Sequence, residues 1–389
     1  MSDSDLPRLS SFTLDGWPVL GGPVTITLND GVAVLVGRNG AGKSAILEGF
    51  KYISSLAIGR KNFSSLSNKS IPKILKFVIL TPTYRHLVYR YEVIEYTVPV
   101  DELELNYDTN DDIEGKHFSC KETCQYMDGK KELIWTAENG IKTFYQEKYL
   151  EYSDYANYSN ELLSDFVKEA QWIYSSLKSI NLIGKFPVRQ TSQRYSSSLY
   201  VVNESLIYDS SLEMSDRLSI KIHVLIKKGN IEELKTICQR VGIGTNINEK
   251  KFFSPDPETY YLEVFLDNVN LGLLSDGTLR ILSIIVELIN SNPTSTLMIE
   301  EPETQIHPGM LEKLLNEIES YTYGKNLIIS THSPQVVSWT QPDKINLVYR
   351  ENNKTFVRKL ATNEIKSVVQ YLNEEGDLGD WIYSGILDE

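Results

Sequence analysis

Cysteine is scarce in this chain of 389 residues, with only three. Cys120, Cys124 and Cys238 cannot build a disulfide framework, and an odd number of thiols suits a reducing compartment. Histidine is equally sparse, at five residues, so chemistry that needs several imidazoles together has few candidates. Basic residues are outnumbered, 39 Lys and Arg against 52 Asp and Glu, giving a formal net charge of -13. That excludes a surface basic all round but leaves room for a local basic groove. Long apolar runs are missing as well. The stretch Ile281 to Ile289 is broken by Ser283 and Glu287, and nothing approaches the roughly 20 apolar residues of a membrane helix. The N-terminal Met1-Ser2-Asp3-Ser4-Asp5 lacks the basic-then-apolar order of an export signal. A cytoplasmic protein without membrane contact is expected. The length exceeds one ordinary core, so two lobes are expected.

What the chain does contain is a complete phosphate-cradling loop, Gly37-Arg38-Asn39-Gly40-Ala41-Gly42-Lys43-Ser44. It stands between the apolar Val32 to Val36, which reads as a buried strand, and Ala45 to Phe50, which opens a helix. That is the context the motif needs. Glycines at 40 and 42 let backbone N–H groups turn onto phosphates, together with Asn39. Lys43 reaches the β- and γ-phosphates, Ser44 offers an oxygen to Mg²⁺, and the helix N-terminus adds partial positive charge.

Further on, Thr296-Leu297-Met298-Ile299 reads as an apolar strand ending in Glu300-Glu301-Pro302-Glu303. Successive strand residues face opposite ways, so two adjacent carboxylates can do different jobs. Glu300 is the candidate Mg²⁺ ligand and Glu301 the group that polarises an attacking water. A third strand, Asn326 to Ser330, ends in Thr331-His332-Ser333-Pro334, where His332 is placed to contact a γ-phosphate. His307 precedes Pro308 at a helix start and reads as a turn or dimer-contact residue. His86, His117 and His223 lie in no motif and read as ordinary histidines. Leu274 to Arg280 precedes an apolar helix, with Ser275 as N-cap.

In this order the four elements resemble the ATP-binding-cassette (ABC) ATPases, and more closely their SMC, RecF and OLD branch than the transporters. The resemblance covers about residues 9 to 57 and 257 to 389. It implies an α/β fold, an ABC-ATPase head with a mixed P-loop NTPase sheet and flanking helices, and a head-to-tail dimer or higher oligomer. Each ATP would then lie between one subunit's phosphate loop and the other's signature, so Ser275 and Gly277 would act in trans. Two departures stand out: Asp276 replaces a glycine common in the signature, and Glu300 stands where many relatives carry Asp.

About 230 residues separate Ser44 from Ser275, far more than a transporter ATPase uses. The head is therefore expected in two parts, 1–100 and 256–389, with an inserted lid at 101–255. The insertion reads as hairpin-like to about Tyr145, then helical around Asp165 to Leu177 and Leu218 to Val241, without heptads for a coiled-coil arm. A compact, mostly helical lid is expected. Asn181 to Gln190 looks like a strand returning to the core, and the resemblance makes Gln190, with Gln193 as the alternative, the glutamine that touches Mg²⁺ and the γ-phosphate.

His117, Cys120 and Cys124 offer three zinc ligands without a fourth at finger spacing, so thiols rather than a metal site are expected. Basic residues at Arg60, Lys61, Lys69, Lys73 and Lys76, and at Lys227, Lys228, Lys235, Arg240, Lys250 and Lys251, are interleaved with aromatic and apolar residues. The resembled branch commonly works on nucleic acid, which puts DNA or RNA among the candidate partners. With the short tail beyond His332, no nuclease domain of the OLD kind is expected. The chain resembles in this respect the stand-alone ATPases of bacterial anti-phage systems such as Septu, PARIS and retrons, which imply a separately encoded effector. Alternatives are a non-catalytic, ATP-bound scaffold and a DNA-maintenance ATPase.

Overall fold

The structure is a computed structural model that describes residues 7–58, 71–81, 85–97, 116–127, 133–138, 141–144, 149–150, 172–173, 175–184, 214–253, 260–292, 294–361 and 363–364. Its strands are β1 (Arg8–Asp15), β2 (Val24–Thr27), β3 (Val32–Val36), β4 (Ile74–Leu80), β5 (His86–Thr97), β6 (Lys116–Tyr126), β7 (Leu133–Glu138), β8 (Ile141–Phe144), β9 (Tyr149–Leu150), β10 (Ile180–Ile183), β11 (Ile247–Phe253), β12 (Tyr260–Leu266), β13 (Val269–Asn270), β14 (Thr296–Glu300), β15 (Asn326–Thr331), β16 (Ile345–Glu351) and β17 (Lys354–Lys359). Its helices are α1 (Lys43–Ala57), α2 (Met214–Lys227), α3 (Ile231–Val241), α4 (Asp276–Asn290), α5 (Pro308–Thr322) and α6 (Pro334–Trp339).

The central sheet runs β10-β14-β15-β3-β16-β17 and is parallel except for its last hairpin. Strands buried on both faces need continuous apolar sequence, and β3, β14 and β15 supply it. Period-two alternation sends Val34, Val36, Leu297, Ile299, Leu327 and Ile329 into one hydrophobic cluster. The intervening Ala33, Leu35, Met298 and Ile328 go into the other. On the first face pack α2 to α6. On the second lies α1, covered in turn by an antiparallel sheet in the order β2-β1-β4-β5-β6-β7-β8-β9.

Within that sandwich Phe50 of α1 stacks on Phe12 of β1, ring centroids 3.9 Å apart, and lies 5.9 Å from Phe77 of β4. Two buried or half-buried amides tie the sheets together. The backbone N–H of Leu9 donates to Asn326 Oδ1 at 2.9 Å. Asn346 Nδ2 donates to the carbonyl of Thr27 at 3.2 Å. A third, small sheet of β11, β12 and β13 leads through a 3₁₀ turn, Leu271–Leu273, into α4.

Among the described residues of 101–255, strands are about as frequent as helices, so a mostly helical lid is not what they show; the hairpin-like part expected to about Tyr145 is β6, β7 and β8, which with β9 extend the antiparallel sheet. In β6, Glu122, Cys124 and Tyr126 are buried, while Lys121 and Met127 are exposed and Thr123 and Gln125 only half-buried, the alternation of a half-covered strand. The helices α2 and α3 join the cluster that also contains α4 and α5, because Leu218, Ile222 and Leu225, and Leu234, Ile237, Cys238 and Val241, form apolar stripes at helical spacing. The expected return strand is present as β10, which pairs with β14 from Ile180 to Ile183; residues 185–190 lie outside the described residues. No helix among the described residues is long and apolar enough to cross a membrane.

Because Phe50 is fully buried between two sheets that cannot easily collapse onto a void, Phe50→Ala should destabilise the head by about 3–5 kcal/mol. Chemical denaturation of the purified chain measures it, and an unchanged midpoint would contradict this packing.

Candidate functional site

The three conspicuous motifs converge at one end of the central sheet. Strands β14, β15 and β3 are parallel neighbours, and their register aligns Glu300 with Ser330 and Ser330 with Leu35. Loops leaving their C-terminal ends therefore meet, as ligand sites in open parallel sheets do. By strand alternation Glu300 and Ser330 lie on the side of Met298 and Ile328, the face that α1 covers.

The phosphate loop joins β3 to α1. Asn39 and Gly40 are exposed at its tip, and Gly42 is the N-cap residue of α1 with φ 108°. No side chain caps this helix and no acid sits in its first turn, so its first N–H groups and its positive dipole end are left for an anion. Lys43 is buried, and its Nζ donates to the carbonyls of Gly37 at 2.5 Å and Arg38 at 3.1 Å. Ser44 follows on the first turn. The hairpin of β16 and β17 braces the loop. Thr355 Oγ1 donates to the carbonyl of Ala41 at 3.1 Å, and a Cβ at Gly37 would lie 2.0 Å from the carbonyl oxygen of Val348. Glycine at 37 is thus demanded by close approach of two backbones.

The acidic end of β14 is buried. Glu300 and Glu301 are 4% and 6% exposed. Glu301 breaks the strand with φ 46°, a left-handed conformation uncommon for a side chain of this kind, while its N–H donates to the carbonyl of Ser330 at 2.7 Å. His332, at the end of β15, brings Nδ1 to 3.6 Å from Glu301 Oε1 and 3.5 Å from Glu303 Oε1. Glu301, Glu303 and His332 therefore form one cluster, which the sequence pattern joined only in part.

Arg280 was passed over in the sequence as the last residue of a loop motif. It lies on α4, 1% exposed, and its guanidinium donates to the carbonyls of Gly184 and Glu300. Burial draws its pKa down to about 10, while Glu300, Glu303 and Glu301 act in the opposite sense. At neutral pH it is a buried cation facing three acids. The available signal was an arginine inside an apolar helical run, which needs a partner to be buried. Ser330 Oγ is a second omission: fully buried, it has no hydrogen-bond partner among the described residues.

Ser275 caps α4, its Oγ accepting from the N–H of Thr278 at 3.2 Å. Gly277 packs on the turn after the acidic strand, where a Cβ would meet the carbonyl oxygen of Gln305 at 2.2 Å. His307 caps α5, its Nδ1 accepting from the N–H of Gly309 at 3.2 Å. Gln190 and Gln193 lie outside the described residues. Cys120 and Cys124 share a face of β6 but are four residues apart, roughly 13 Å along an extended strand, too far for one ion. His223 is buried and bonded to Glu249 at 2.6 Å. Several basic residues singled out for nucleic acid are ion-paired: Lys73 with Glu95 at 2.9 Å, Lys235 with Glu232 at 2.8 Å, Arg240 with Glu317 at 2.6 Å and Lys251 with Glu249 at 3.1 Å. Their charge is partly spent within the chain.

Uncapped N–H groups and a buried lysine suit the phosphates of a nucleotide triphosphate, while a hydroxyl and a buried carboxylate are hard oxygen ligands suited to Mg²⁺, which keeps most of its ligands as water and phosphate oxygens. The residues fit that group. Removing the cation beside the acids should be costly in itself. Arg280→Met should lower stability by about 3–5 kcal/mol, as expected when one partner of a buried ion pair is deleted, and a denaturation midpoint equal to that of the parent would contradict the tether.

A family model described as "AAA domain" matches residues 11–236, and one described as "AAA domain, putative AbiEii toxin, Type IV TA system" matches residues 152–338. No curated protein matches the chain. Among solved structures the chain is similar to an Smc head bound to the C-terminal winged-helix domain of ScpA, at 14% identity and TM-score 0.45 over 93% of this chain and 100% of that one. It is also similar to an Smc head with an extended coiled coil bound to the C-terminal domain of ScpA from Pyrococcus furiosus, at 12% identity and TM-score 0.45 over 95% and 100%. A third is an SMC head from Thermotoga maritima, at 12% identity and TM-score 0.38 over 91% and 100%. By its phosphate loop and its match to the AAA model over more than half its length, the chain belongs to the AAA-domain family of P-loop NTPases.

Proposed function

We propose that the chain binds ATP with Mg²⁺ and hydrolyses it, two copies closing head to tail so that each nucleotide lies between one phosphate loop and the partner's Ser275 and Gly277. The cycle regulates a separately encoded effector in defence against phage. The observation that carries the catalytic reading is the meeting of the uncapped N-terminus of α1, the buried Glu300 and Glu301, and His332 at one end of a parallel sheet. The description of one matched family names a toxin–antitoxin system, in keeping with a chain that acts through a second protein.

In this reading the N–H groups of Gly40 to Ser44 and the ammonium of Lys43 hold the phosphates. Ser44 and Glu300 hold Mg²⁺, which when bound neutralises charge on the phosphates. Glu301 orients the attacking water and takes its proton as the phosphorus–oxygen bond breaks. His332 faces the γ-phosphate as a hydrogen-bond donor. The resemblance assigns a further contact with that phosphate to Gln190, or to Gln193 as the alternative, both outside the described residues. Substrate positioning and fixed charge then do most of the work, as phosphoryl transfer requires.

Glu301→Gln keeps the shape of the base but cannot accept a proton. It should bind ATP normally, trap an ATP-bound dimer and cut turnover by about 10²-fold or more. Lys43→Ala should instead lose nucleotide binding. Steady-state phosphate release, nucleotide titration and light scattering separate these outcomes. Normal turnover in Glu301→Gln would overturn the assignment, and a parent that binds ATP without turnover would favour a scaffold.

Action in trans has its own test. Ser275→Arg should bind ATP as a monomer and neither dimerise nor hydrolyse it, and full activity in that variant would exclude the shared site.

A further inference from the structure

Glu303 lies two residues beyond the proposed base and has no part in the cycle described above. Its side chain is 11% exposed, and one of its oxygens collects three contacts from the end of β15. Oε1 accepts from Thr331 Oγ1 at 2.7 Å and from the backbone N–H of His332 at 3.1 Å, and it stands 3.5 Å from His332 Nδ1. Glu301 Oε1 is 3.6 Å from the same Nδ1. The other oxygen, Oε2, is buried and has no hydrogen-bond partner among the described residues. A buried carboxylate oxygen left unpaired is costly, and such sites are kept where something else depends on the charge.

We infer that Glu303 is a positioning residue for His332. This rests on the reading of Glu301 and His332 given above. Glu303 fixes the backbone and the imidazole together, so that the Nδ1 proton is directed at the carboxylates and Nε2 is the ring atom left for the γ-phosphate, since the partner of one ring nitrogen sets the state of the other. Glu301 is steadied from its far side by Thr304, whose Oγ1 donates to Oε2 at 3.4 Å.

A double-mutant cycle with Glu303→Gln and His332→Ala tests this. Glu303→Gln alone should lower kcat about tenfold with KM for ATP changed less than twofold, an effect made through a group that acts in the transition state. In the His332→Ala background the same substitution should cost less than twofold, because residues acting as a unit are not additive. Equal losses in both backgrounds would reduce Glu303 to a structural support and overturn the inference. A second measurement does not depend on turnover. In ¹⁵N-histidine-labelled protein the His332 ring should show a protonated Nδ1 that changes in Glu303→Gln but not in Lys43→Ala. A His332 signal unmoved by Glu303→Gln would likewise overturn it. Loss of hydrolysis in the parent, with the ring signal as described, would instead count against the ATPase reading and leave this geometry standing.

Discussion

The guanidinium of Arg280 is the constraint on which the site depends. It is a cation buried on the helix that follows the signature, bonded to the carbonyls of Gly184 and Glu300, and it is opposed by the carboxylates of Glu300, Glu301 and Glu303. Desolvation is the largest influence on it, and a lysine could not replace the fork that reaches two carbonyls at once. The buried Glu300 and Glu301 and the nearly buried Glu303 would repel each other without it. With it, α4, the residue after β10 and the end of β14 are joined through one side chain.

Around that unit the chain uses backbone geometry for what side chains cannot do. Glu301 adopts a left-handed φ and so leaves the alternation of β14. Gly277 lets α4 touch the Gln305 carbonyl, and Gly37 lets the phosphate loop touch β16. These close approaches bring the signature helix, the turn after the acidic strand and the phosphate loop into a connected framework. The central sheet supplies stiffness, since its two apolar faces are both covered, by α1 on one side and α2 to α6 on the other.

The antiparallel sheet has a different task. It closes over α1 through Phe12, Phe50 and Phe77 and is anchored to the central sheet by the amides of Asn326 and Asn346. Its extension through β6 to β9 places these strands of the insertion beyond β5 in strand order, on the side away from β1 and β2. The remaining helices of the insertion, α2 and α3, bury their apolar stripes against α4 and α5, with Arg240 and Glu317 paired between α3 and α5. The head thus incorporates segments that lie far apart in the chain.

What the sequence determined by itself was local and periodic. The phosphate loop, the apolar strands at 32–36, 296–300 and 326–331, the cap at Ser275 and the helix start at His307 are each written in a few consecutive residues whose backbone chemistry admits little else. What it did not determine was long-range. Apolar stripes at helical spacing show that a helix has a buried face but not which surface buries it, and a hairpin-like pattern up to about Tyr145 does not say that β6 to β9 continue the sheet begun by β1, β4 and β5. The burial of Arg280, the sharing of His332 between Glu301 and Glu303, and the pairing of Lys73 with Glu95 and of Arg240 with Glu317 were equally hidden. Each depends on residues brought together across tens of positions, and only the packed sheets and their covering helices decide which charges meet.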